Sequence, residues 1–159
     1  TPTPEGPVSR AAIEYHVYQR VNFHRASYGY EQVQLNESLR EVARHHSEEM
    51  AEADSLAVKA SSDQALDARL ERFGVDCQSS TETVARVPFD TTVDTGDGNT
   101  VRYETPKEVA SAAVREWMRG QGSKSKILRI EWTRVGIGVH VVEEADGAIV
   151  YVTQDLCED

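Results

Sequence analysis

Ile13, Val17 and Val21 recur every four residues, with Ala12 and Tyr18 beside them, and this spacing predicts an amphipathic helix from Val8 to about Tyr28, ending near Gly29. Behind Asn36, a residue suited to capping, Leu39, Val42, Ala43, His46 and Met50 follow i, i+3, i+4, i+7 and i+11, which predicts a second helix with Arg40, Arg44, Glu48 and Glu49 turned elsewhere. Ser61-Ser62-Asp63-Gln64 fits a capping box ahead of Leu66, Leu70 and Phe73, and Gly74 supplies the stop of a short third helix. Thr105-Pro106-Lys107-Glu108 combines a Thr cap, Pro at the first helical position and Glu three residues after the cap. Val109, Ala112, Ala113 and Trp117 then form the buried face of a fourth helix that runs to Gly120.

After Arg134 the period changes to two. Val135, Ile137, Val139 and Val141 alternate with Gly136, Gly138, His140 and Val142, and Asp146-Gly147 provides the turn into a second arm from Ala148 to Thr153. A second hairpin is expected around Thr95-Gly96-Asp97-Gly98-Asn99, flanked by Val93, Val101 and Tyr103, with a strand near Val84 to Val87 before it. Helices first and strands late predict an α+β fold with helices packed over an antiparallel sheet. In that fold His46 belongs to the core, while His45 and His140 face solvent.

The 159 residues suit one domain. The Pro- and Thr-rich opening reads as an extended linker over residues 1–9, leaving 10–159 for the domain. No apolar run approaches the roughly 20 residues of a membrane-spanning helix. A net charge of −10 opposes binding to nucleic acid, and the few lysines (Lys59, Lys107, Lys124, Lys126) among abundant acids give a salt-adapted, halophilic look. One stretch departs from this balance. Arg115 to Arg134 carries +4, leaving −14 elsewhere, and Gly120 to Lys126 reads as a flexible loop. Lys124, Lys126, Arg119 and Arg129 there form a candidate anion-binding set, whose bland alternative is a solvated loop complementing the end of the fourth helix.

Recognised catalytic patterns do not occur: there is no HExxH, GxSxG, Walker loop or GxGxxG. Gly96-Asp97-Gly98-Asn99 lacks the acidic spacing of a calcium loop. Cys77 and Cys157 allow one long-range disulfide without requiring it.

Several segments, in order, resemble the CAP superfamily of cysteine-rich secretory, antigen 5 and pathogenesis-related proteins, in its prokaryotic extracellular branch. They are Val21-Asn22-Phe23-His24-Arg25-Ala26, Leu35-Asn36-Glu37-Ser38-Leu39, the run from Ala43 to Ala51, Trp117-Met118, Ile127-Leu128, the run from Trp132 to Val139, and Tyr151 to Asp155. The resemblance implies an α-β-α sandwich with a central antiparallel sheet, an exported location, a Cys77–Cys157 pair, and a scaffold role for Asn22, Arg25, His46 and Ser47. CAP domains commonly carry a pocket of two His and two Glu that can hold a divalent metal. Matched onto this chain, the first His position holds Val58 and the second Ser123; one Glu corresponds to Glu82, and the other acidic position falls near Gly120. The expectation is a degenerate pocket with no metal and no cofactor. The leading reading is a secreted or surface-displayed binding module whose partner is a surface glycan, a lipid or a protein. The alternatives are a hydrolase using Glu82 with Ser123 or a nearby His, and a structural module of a cell-envelope assembly.

Overall fold

A computed structural model describes residues 9–56 and 63–159. The elements run α1 (Arg10–Ser27), β1 (Gln34–Leu35), α2 (Glu37–Ala53), α3 (Asp63–Arg72), β2 (Ser79–Phe89), β3 (Val93–Asp94), β4 (Thr100–Val101), α4 (Pro106–Arg119), α5 (Gln121–Ile127), β5 (Arg134–Glu144) and β6 (Gly147–Glu158). The Asn36 side chain accepts from Leu39 N at 2.9 Å, starting α2. Thr105 and Glu108 form the reciprocal capping box of α4, with Pro106 at its first position. The Ser61-Ser62 part of the cap expected for α3 lies outside the described residues.

Four strands make the central sheet in the order β1-β5-β6-β2. β6 pairs antiparallel with both neighbours, Glu82 standing opposite Asp155 and Gly138 opposite Thr153. The long strands form the expected antiparallel sheet, to which the two-residue β1 adds a parallel pairing with β5 through Gln34 and Leu35. The strand expected from Val84 to Val87 is also longer, and its polar start, Thr81-Glu82-Thr83, is buried. His140 is half-buried rather than solvent-facing.

Side-chain alternation divides the interior into two layers. Ala85, Val87 and Phe89 of β2 join Val135, Ile137 and Val139 of β5 in a core closed by Ile13, Val17 and Val21 of α1 and by Val109, Ala113 and Trp117 of α4. On the opposite face α2 and α3 enclose a smaller cluster of Leu39, Val42, Leu66, Leu70, Val75 and Cys157. The result is the α-β-α sandwich.

α2 lies directly on β5. A Cβ on Gly138 would overlap the backbone of Ala43 and Arg44, and one on Gly136 would overlap Leu39, so only hydrogen at these two positions allows the contact. Ser47 completes it, donating to Gly138 O at 2.8 Å and lying 2.8 Å from Thr153 Oγ1. Cys77 and Cys157 form a disulfide with Cα atoms 5.4 Å apart, tying the segment before β2 to the end of β6.

The stretch Gly120 to Lys126, expected as a flexible loop, is mostly the short helix α5. Its serines bond back to the chain, Ser123 to Trp117 O and Ser125 to Gln121 O. At its end and just past it the fully buried Arg25 donates to Ile127 O at 2.7 Å and to Arg129 O at 2.9 Å. Local composition disfavours a helix here, and this set of tertiary bonds overrides it.

Candidate functional site

A cleft of about 900 Å³ runs along the outer edge of β2. Its floor is the stretch from Glu82 to Pro88. Ala112, Glu116 and Trp117 of α4 form one wall, and Val93, Asp94 and Tyr103 of the β3–β4 region bound it, while Ser123 and Lys126 of α5 close one end.

Glu82 belongs to this cleft through its main chain, where its carbonyl accepts from Lys126 Nζ at 3.2 Å. Its carboxylate, 2% exposed, is engaged elsewhere. Arg69 of α3 grips it with two bonds of 2.8 Å, Nη1 to Oε2 and Nη2 to Oε1, and His46 Nε2 lies 3.4 Å from Oε1. Asp155, opposite on β6, is fully buried. Burial, then the charge of Glu82, then the hydrogen bond with it push the Asp155 carboxyl well above the usual range. Burial works in the same direction on Glu82, but the bond with Asp155 and the Arg69 guanidinium outweigh it and hold Glu82 low. Of this pair Asp155 therefore carries the proton and Glu82 the charge. Burial also lowers His46, against the pull of Glu82, so its imidazole is neutral at pH 7.

The polar run Thr153-Gln154-Asp155, buried inside an otherwise apolar strand, is the signal by which this network could have been read from the chain. Nothing in the local sequence marks Asp155 or Arg69 as the partners of Glu82.

Ser123 donates to Trp117 O at 2.5 Å and lies 3.2 Å from Gly120 O, so its hydroxyl serves the junction of α4 and α5. Val58 lies outside the described residues. The cationic set is spread out. Arg119 and Lys126 line the cleft, Lys124 sits 5.1 Å over the ring of Tyr28, and Arg129 bonds Glu131 at 2.5 Å beside the ring of Trp132.

These donors do not fit a divalent metal. Both oxygens of Glu82 already face a guanidinium, Ser123 offers a neutral hydroxyl turned to carbonyls, and Gly120 has no side chain. Among the described residues no three His, Cys, Asp or Glu are grouped to hold one.

Known proteins resemble this chain in sequence or in fold. A protein of Bacillus subtilis, the uncharacterized protein YkwD, is 24% identical over 136 residues, covering 86% of this chain and 46% of its own. An extracellular protein containing an SCP domain from Bacillus anthracis superposes with a TM-score of 0.74 at 18% identity, over 100% of this chain and 45% of that one. An outer surface protein of Borrelia burgdorferi superposes with a TM-score of 0.67 at 10% identity, over 96% of this chain and 97% of that one. The chain thus spans less than half of the two Bacillus proteins. The profile of the cysteine-rich secretory protein family, CAP, matches residues 18–156, and the chain belongs to that family.

Proposed function

We propose that this CAP domain is exported and acts by binding, with the cleft along β2 as its ligand site. The observation that carries the reading is where the polar groups of the cleft are spent. Ser123 bonds to its own helix junction, and the Glu82 carboxylate is locked to Arg69 on the other face of the strand. A hydrolase needs a base within hydrogen-bond reach of its nucleophile. Ser123 and the Glu82 carboxylate have no such arrangement, and His46, the His that does lie near Glu82, is enclosed with it away from the cleft. What the cleft offers is shape, the partly exposed ring of Tyr103, and the charges of Arg119, Lys126, Asp94 and Glu116.

Export is supported by the relatives described as extracellular and outer surface proteins, and by the disulfide, which belongs to an oxidising compartment. No helix among the described residues is long and apolar enough to cross a membrane.

Amide and indole resonances of the labelled protein, followed against a sulfated polysaccharide, a short-chain phospholipid and a soluble peptide in turn, test the reading. Saturable shifts at Trp117, Gly120 and Ser123 with one probe and no turnover of it support a binding site. Cleavage of a probe, or shifts confined to other faces, would overturn it.

A further inference from the structure

The two edges of the central sheet are finished differently. On the outer side of β5, Gln34 N donates to Thr133 O at 2.9 Å, Asn36 N donates to Val135 O at 3.0 Å, and Glu14 Oε2 accepts from Val139 N at 2.9 Å. That edge is covered by a short strand and a buried carboxylate. On β2 the residues facing outward are identified by their caps, since Trp117 Nε1 donates to Val84 O at 2.9 Å and Lys126 Nζ donates to Glu82 O. N–H and C=O groups of alternate residues address the same side of a strand. Arg86 and Pro88 therefore also face the cleft. Among the described residues nothing bonds the main-chain N–H or C=O of Arg86, and Pro88 has a carbonyl but no N–H.

An unpaired edge in a recessed groove is a template for a further strand. Which strand fits follows from the caps. A parallel partner bonds at two different residues of β2: one of its residues would need Val84 O and Arg86 N, the next Arg86 O and Pro88 N. The first pair is half taken by Trp117, and the second lacks its donor. An antiparallel partner instead makes both bonds to one residue, and Arg86 offers both. Val84 N and Pro88 O then serve the flanking positions.

Resting on the proposal that the cleft is the ligand site, we infer that it takes an extended peptide as a fifth, antiparallel strand paired at Arg86. The direction agrees with the charges. β2 runs from Glu82, where Lys126 stands, toward the β3 region, where Asp94 lines the cleft. An antiparallel peptide places its carboxyl-terminal end toward Lys126 and its amino-terminal end toward Asp94. Residues next to the paired one point toward Ala112 and Trp117, so these take apolar side chains.

The test uses the full chain and a pentapeptide of alternating Thr and Val with a free carboxyl terminus, titrated by calorimetry and by amide shifts. Arg86→Pro removes the outward N–H while leaving the β2–β6 ladder whole, because Pro is tolerated where the N–H faces away from the partner. We expect binding weakened about tenfold in Arg86→Pro, near-parental binding in Arg86→Ala, and similar melting temperatures for the two. N-methylation of the peptide should abolish binding at alternate positions only. Equal loss in the Pro and Ala variants would assign the effect to the Arg86 side chain and overturn the inference, as would N-methylation tolerated throughout. If Arg86→Pro fails to fold, the N-methyl series on the parent protein decides alone. Cleft shifts with the polysaccharide or phospholipid but none with the peptide would overturn the strand and leave the cleft reading standing. Shifts away from the cleft with every probe would end both.

Discussion

Glu82 and Asp155 stand directly opposite each other on β2 and β6, on a face of the sheet covered by helices, where burial and the charge of Glu82 raise the Asp155 carboxyl while Glu82 is held low. Since the main-chain groups of Glu82 point outward, theirs is a pair without main-chain bonds between its members, the kind in which side chains approach most closely. Two ionised carboxylates could not remain there. Arg69 neutralises the one that is charged.

The pair makes stability depend on pH. Asp155 has a folded value above its unfolded one of about 3.9, so between the two the native state holds the extra proton and stability falls as pH rises. His46 acts oppositely: its folded value is lowered, so stability falls as pH drops below about 6.5. Comparison with Asp155→Asn cancels the His46 contribution. From pH 5 to 8 the wild type should lose stability relative to Asp155→Asn in urea melts, and parallel pH profiles would show that Asp155 is not protonated.

Gly138→Ala should be among the most damaging single-methyl changes in the protein. The new Cβ meets the main chain of Ala43 and Arg44 rather than a side chain able to turn away. A loss on the order of 3 kcal/mol, or failure to fold, is expected from such overpacking. A thermal melt within about 2 °C of the parent would contradict the close seating of α2.

Removing the disulfide by Cys77→Ala with Cys157→Ala should cost on the order of 4 kcal/mol in the chain-entropy treatment of a loop of separation 80. Denaturant unfolding of the parent with and without reductant should reproduce the difference. A reduced protein as stable as the oxidised one would contradict it.

The two lysines of α5 should behave differently. Lys124→Glu removes a cation over the exposed ring of Tyr28 and near His24, whereas Lys126→Glu sets a carboxylate against the Glu82 carbonyl. A loss of about 1–3 kcal/mol is expected for Lys126→Glu and less than about 0.5 kcal/mol for Lys124→Glu. Equal melting temperatures for the two variants would contradict the contact.

Zinc titration of the parent should give no stoichiometric binding tighter than micromolar, since Arg69 already occupies the face of Glu82 that a cation would need. A saturable heat at nanomolar zinc, lost in Glu82→Gln, would refute this.

Periodicity and caps carried the helices into view, because Asn36, Thr105 and the stripes behind them act locally. They carried the strands less well where burial is polar. Thr81, Glu82 and Thr83 interrupt the apolar alternation of β2, and the burial of Glu82 is matched by Arg69 on another element and by Asp155 on a distant strand. α5 was hidden for a similar reason: its glycine and serines are weak helix formers, and Arg25, about a hundred residues earlier, holds its end. Of the site, Glu82, Ser123 and Gly120 could be placed by resemblance. Which way the Glu82 carboxylate turns could not, since that follows from the register of β2 on β6.

The disulfide also decides how the molecule carries tension. A pull entering the chain beyond Cys157 crosses the sulfur bridge to Cys77 and continues into the segment that precedes it. The loop between the two cysteines contains all of β2, α4, α5, β5 and most of β6, and it is bypassed as a slack side branch. Stretching would therefore unravel α1, β1, α2 and α3 first, while β2, the strand that floors the cleft, stays unloaded until the bridge is cut.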